Sequence, residues 1–129
     1  MLGDSKTFSG FSVNDLVKAK AFYIDVLGLE AEDTGMGLKV KIKGNNDLFV
    51  YEKKDHQPAT YTVLNFEVAD IDKAVKALSA KGVIFEHYDF GGGAKTDAMG
   101  IMRGKAAGQG PDIAWFTDPA GNIFSVLSQ

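Results

Sequence analysis

The chain has no cysteine. That absence excludes disulfides, thiolate metal sites and cysteine nucleophiles, while leaving the compartment open. Histidine is nearly as scarce, with only His56 and His87. Neither has a second histidine or a carboxylate at a helix-face or hairpin ligand spacing. A rearranged metal site would have to draw on Glu52, Glu67 or His87, and the expectation is that no metal and no other cofactor is used. Positive charge is short as well. A net charge of −3 and a pI near 5.3 argue against a dedicated nucleic-acid binder, which carries a basic face. The opening "MLGDSKTFSG" holds no apolar stretch long enough for a signal peptide or a membrane span. No membrane partner is therefore expected, and the cytoplasm is the expected compartment.

What is present is ordinary in bulk and informative in pattern. The 129 residues are 45% hydrophobic and 24% charged, a composition typical of globular proteins. Such a length suits one domain, or two small halves that share a core. It buries roughly 70% of the surface exposed by the unfolded chain, so no disulfide or metal is needed for folding.

Laid against itself, the chain repeats. "FSVNDLVKAKAFY" (11–23) matches "FEVADIDKAVKAL" (66–78) at a constant offset of 55 residues. Phe11 falls on Phe66, Val13 on Val68, Asp15 on Asp70, Lys18 on Lys73 and Ala19 on Ala74. Each copy begins as an alternating strand and passes a short polar residue suited to helix N-capping: Asn14 or Asp15 in the first, Asp70 in the second. Apolar residues then recur at helical spacing until Gly28 or Gly82, which take the left-handed C′ conformation without strain. Strand-like runs follow: "GLKVKIKG" and "DLFVYEK" in the first copy, "VIFEHYDF", "MGIMRG" and "IAWFTD" in the second. "DPAG" turns the chain into its last strand, since Pro119 presets φ and Gly121 tolerates positive φ. The expected plan is α+β, with βαβββ written twice: one module over about 6–54, the other over about 60–128, both within a single domain of residues 1–129. "GGGAKTDAMGIMRGKAAGQG" (91–110) holds seven of the fifteen glycines. It lacks the helix start that a phosphate cradle needs and is expected to be a mobile connection or lid.

The pieces "VNDLVKAKAFYIDVLGL", "NFEVADIDKAVKALSAKGV" and "FTDPAGNIFSVL" together resemble the vicinal oxygen chelate superfamily, the glyoxalase, bleomycin-resistance and dioxygenase group. The resemblance covers nearly the whole chain. It implies a glyoxalase/bleomycin resistance-like fold: two modules whose strands form a curled mixed sheet, a cup with the ligand site inside and helices outside. It also implies a homodimer. Metal-using members of the family set one His or Gln from the first strand of each module and one Glu from the last strand of each. Carried onto this sequence, those positions fall on Phe8, Val63, Val50 and Ser125. Phenyl and isopropyl groups hold no lone pairs for a divalent cation, and a neutral hydroxyl is a poor ligand. A bare cation there would be desolvated and unpaired.

With the metal ligands missing, the resemblance implies a protein that binds a small organic molecule in the cup. Alternation on the strands selects Phe8, Ser12, Val63, Asn65, Glu67, Trp115 and Ser125 as ligand-binding candidates, apolar and aromatic walls with a few polar points. Phe8 and Val63 serve equally as core filler. Trp115 suits a core aromatic with its N–H on a backbone carbonyl. Glu67, at the rim or in a salt bridge with Lys41 or Arg103, and His87 are the candidates for acid–base catalysis if the protein is an enzyme. The alternative function is that of a lyase, isomerase or dioxygenase of the same superfamily, with or without metal.

Overall fold

Both repeats build the same ladder. A computed structural model describes residues 1–129, and the chain divides into two compact units, Met1–Pro58 and Ala59–Gln129. In the first unit, strand β1 (Gly10–Val13) leads into helix α1 (Leu16–Ala21), followed by β2 (Glu30–Asp33), β3 (Leu38–Lys41) and β4 (Leu48–Glu52). The sheet order is β1-β4-β3-β2, with β1 parallel to β4 and the other pairs antiparallel. In the second unit, β5 (Thr62–Glu67), α2 (Ile71–Ala80), β6 (Ile101–Arg103), β7 (Asp112–Thr117) and β8 (Ile123–Ser128) repeat this plan in the order β5-β8-β7-β6. The architecture is α+β: two four-stranded mixed sheets and two helices.

The helix boundaries have local causes. Asp15 accepts a hydrogen bond from the Lys18 N–H at 3.0 Å, and Asp70 accepts one from Lys73 at 3.1 Å. Each satisfies a helix-start donor that has no partner within the helix. Of the two residues able to cap α1, it is therefore Asp15 that does so. Gly28 (φ 71°) and Gly82 (φ 95°) close the helical segments. The first differs in that α1 widens into a π-helical turn over Phe22–Val26 before it stops.

The buried apolar strand residues share one face of each sheet. Val13, Leu38, Val40 and Val50 are buried in the first unit. In the second, Ala114, Phe116, Phe124 and Val126 are buried, with Ile71 and Val75 of α2. Phe116 sits edge-on between Phe85 and Phe124, with ring centroids 5.6 and 5.8 Å away, an arrangement favoured by the ring quadrupoles.

Two segments depart from the sequence reading. "VIFEHYDF" (83–90) forms no ladder strand, only an isolated bridge from Asp89 to Lys95. β6 is only three residues long and starts opposite Ala114, so the Trp115 carbonyl beyond it is left to the Glu86 N–H, at 2.8 Å. The segment thus caps the uncovered end of β7 with one bond, while Val83 and Phe85 fill the core. Residues 91–110 are likewise not one connecting loop, because β6 divides them. The Asp97 carboxylate organises the approach to that strand, accepting from the N–H groups of Met99 and Ile101 and from Arg103. Beyond the strand, Gly104 lies so near the Pro111 carbonyl oxygen that a Cβ would sit 2.4 Å from it.

Candidate functional site

The face opposite the buried one is where the two units differ. In the first, period-two alternation puts Ser12, Lys39, Phe49 and Tyr51 on the same side, in register as Ser12↔Tyr51 and Lys39↔Phe49. The rings of Phe49 and Tyr51 stack with centroids 5.8 Å apart and an interplanar angle of 19°. Beside them opens a cleft of about 640 Å³, walled by Phe8, Met36, Leu48 and Phe49 and edged by Lys6, Thr34, Lys39, Asn46 and Asp47. Gly37 makes room for it: a Cβ there would lie 2.6 Å from the Val50 carbonyl oxygen and 3.0 Å from the Phe49 ring. The Asn46 amide donates to the Thr7 carbonyl, tying the β3–β4 turn to the segment that carries Phe8.

Phe8 is 73% exposed. It is therefore a wall of the cleft and not core filler. Ser12 also gains a partner, since its Oγ lies 2.6 Å from Nδ1 of His56. His56 reads in the sequence as a solvated connector residue. The turn after β4 brings it back, with Lys53 N–H on the Val13 carbonyl and His56 N–H on the Lys53 carbonyl. Such a hydroxyl–imidazole pair can share a proton, whichever tautomer the ring adopts.

In the second unit, Trp115, Ser125 and Asn65 form one row across β7, β8 and β5. Ser125 is 0% exposed, and its hydroxyl meets the Asn65 carbonyl oxygen Oδ1 at 2.6 Å. Trp115 donates its indole N–H to the Thr62 hydroxyl at 3.1 Å, not to the backbone carbonyl expected from sequence. Trp115, Tyr88 and Phe90 then gather into a cluster with centroids 5.4 to 5.8 Å apart. Burial, with the Glu86 carboxylate nearby, pushes the Tyr88 phenol above its usual range. Val63 is half-buried at a register irregularity between Thr62 and Leu64.

Glu67 and His87 are both exposed. Glu67 makes no ion pair; Arg103 pairs with Asp72 at 2.7 Å and Asp97 at 3.1 Å, and Lys41 with Glu32 at 3.1 Å. Glu52, another possible metal ligand, instead accepts the Leu16 N–H at the start of α1, at 2.9 Å.

Register also corrects one family position. Gly10 and Asn65 are equivalent by the repeat, and they pair with Phe49 and Ser125 respectively. Phe49 is therefore the residue equivalent to Ser125. Val50 pairs with Phe11 and is fully buried on the other face. The positions that would hold a metal are Phe8 and Phe49 in the first unit and Val63 and Ser125 in the second. Three hydrocarbons and one hydroxyl already bonded to Asn65 do not fit a divalent cation. Elsewhere, too, no group of three or more His, Asp or Glu side chains is placed to hold one. No helix is long and apolar enough to cross a membrane.

Sequence alone missed Met36, Leu48, Phe49, Tyr88 and Phe90. The only signal for the last two was the aromatic alternation in "HYDF".

The profile of the Glyoxalase/Bleomycin resistance protein/Dioxygenase superfamily matches residues 9–126, and the chain belongs to that superfamily. No curated protein matches it. Among solved structures, it resembles a superfamily member from Sphaerobacter thermophilus DSM 20745, at 25% identity and a TM-score of 0.67, over 99% of this chain and all of that one. It also resembles TnmS3, an antibiotic binding protein from Streptomyces sp. CB03234 (23% identity, TM-score 0.65, 97% of each chain). A third is the fosfomycin resistance protein FosX from Listeria monocytogenes (17% identity, TM-score 0.66, 98% of this chain and 93% of that one).

Proposed function

We propose that this protein binds a small organic molecule reversibly and without metal, with the cleft of the first unit as the principal contact. One observation carries the reading: Phe8 and Phe49, which stand where the family would place metal ligands, wall an apolar cleft of about 640 Å³. That volume lies in the range of small-molecule sites, which combine apolar walls with a few orienting polar groups. Thr34, Asn46 and Lys39 supply such groups here. Reversible binding needs no catalytic side chain. The antibiotic binding protein of the same fold supports the class of activity and not the identity of the ligand.

The test is equilibrium dialysis of the purified protein against a panel of aromatic and antibiotic-like compounds, with and without a chelator. The expected result is saturable, chelator-independent binding that Phe49→Ala weakens by about tenfold or more, as loss of a buried aromatic anchor does. The same panel read by Trp115 fluorescence reports separately on the second unit. Absence of saturable binding across the panel, or binding that requires a divalent ion, overturns the proposal.

A further inference from the structure

The cleft of the first unit has a charge of its own, set by which lysines on β3 are neutralised. Lys39 stands opposite Glu32 in the β2–β3 register, and Lys41 opposite Glu30. Glu32, however, bonds diagonally to Lys41, at 3.1 Å. Its carboxyl is held below the usual range chiefly by that bond, with Lys39 the weakest contributor. Lys39 is left without an ion pair, beside the Phe49 ring that it faces in register. Lys6, two residues before Phe8, also lines the cleft and has no ion-pair partner. The one carboxylate on the rim, Asp47, borders a second cleft with Lys41 and Lys43, and its charge acts on Lys41. The cleft is therefore an apolar chamber edged by two ammonium groups without ion pairs and by one carboxylate, Asp47, a rim of net positive charge.

Resting on the binding function proposed above, we infer that the ligand is an amphipathic organic anion. Its ring or alkyl body lies against Phe8, Leu48 and Phe49, and its carboxylate or sulfonate meets Lys6 and Lys39. An ammonium on a flexible stem suits this role, because it follows the anion while its methylenes cover apolar surface. A neutral ligand would leave both lysines uncompensated, and a cationic one would meet them as like charges.

Two fluorescent probes that share one ring frame separate this inference from the reading beneath it: anionic 1-anilinonaphthalene-8-sulfonate and neutral N-phenyl-1-naphthylamine. Each is titrated into the folded protein and into the Lys6→Ala/Lys39→Ala variant, with melting curves confirming that both proteins are folded. The expected result is that the anion binds about tenfold tighter, that the difference shrinks as salt screens it, and that the double variant loses the preference while still binding the neutral probe. Equal binding of the two probes, or a preference that survives in the double variant, overturns the anion assignment and leaves small-molecule binding standing. If neither probe binds saturably, both fail.

Discussion

Strands β4 and β8 hold the same place in their sheets but carry different residues on one face. On the buried face the two modules agree: Val50 answers Val126, and both are buried. Phe11 answers Phe66 and Val13 answers Val68 along β1 and β5. On the open face they part, with Gly10 against Asn65, Phe49 against Ser125, Ser12 against Glu67 and Tyr51 against Leu127. Close packing constrains the first set, since a methylene too many or too few is felt in a dense core. The second set is looser, with the fully buried Ser125 as its exception, and it is there that the two modules carry different chemistry. The first module carries an apolar cleft on its open face, whereas the second fills its row with a buried serine bonded to an exposed asparagine, beside a half-buried aromatic cluster.

The strongest way to break this comparison is Ser125→Glu, which restores the carboxylate type used in the last strand by metal-binding relatives. At a position with 0% exposure and no cation at hand, the new charge is buried unpaired. The expected cost is about 3–5 kcal/mol of unfolding free energy, with no gain in metal affinity. Urea denaturation and metal titration check both. A loss under about 1 kcal/mol would mean that the second module's face is as open as the first's.

Next comes a matched pair of phenylalanines. Phe124→Ala, 1% exposed and in contact with Phe66 and Phe116, is expected to cost about 3–5 kcal/mol. Phe49→Ala is half-exposed and should cost no more than about 1–2 kcal/mol while removing ligand affinity. Similar stability losses for the two would erase the distinction between framework and site. A smaller, paired effect is expected at two glycines. Gly37→Ala and Gly104→Ala both drive a Cβ into a backbone carbonyl, that of Val50 and of Pro111 respectively, at about 1–3 kcal/mol each. Only Gly37→Ala, which also presses on the Phe49 ring, should weaken binding.

Much of the framework was legible in sequence because capping and burial impose short-range rules. The Asp15 and Asp70 caps, the Gly28 and Gly82 stops and the apolar alternation each mark an element within a few residues. The site was legible only in part. Ser12, Asn65, Trp115 and Ser125 follow from strand parity, which the structure keeps, whereas Phe8 lies ahead of β1 and reaches the cleft from the segment before it. Their neighbours depend on turns, which parity does not govern. His56 reaches Ser12 through the fold-back after β4, and Met36 reaches the cleft because Gly37 allows a close approach. The mistaken placement of Val50 has the same origin. A period of two makes an error of one residue in register exchange the two faces of a strand, and only the β1–β4 pairing shows that Phe49 is the open-face residue.

The smallest effect separates the modules by their charges. The first holds isolated, exposed pairs such as Lys41–Glu32 and Lys53–Asp55, and exposed pairs contribute little. The second gathers Asp72 and Asp97 around Arg103, whose guanidinium makes a two-pronged contact with Asp72 at 2.9 and 2.7 Å. The Arg103 hydrogen bonds hold the Asp72 carboxyl below its usual range. Burial raises Asp97, but the Ile101 and Met99 N–H groups and Arg103 outweigh it, so that carboxyl also titrates low. Carboxyls depressed in the folded state stabilise it above the ordinary carboxylate range near pH 4, and that stabilisation is lost as pH falls through their folded values. Arg103→Met should therefore lower the melting temperature by about 2–4 °C at pH 7, with the deficit closing toward pH 2.5 as both aspartates protonate. Lys41→Met should change little at any pH. A deficit for Arg103→Met that is the same at pH 3 and pH 7 would show that its alkyl stem, and not its charge, holds α2 to β6.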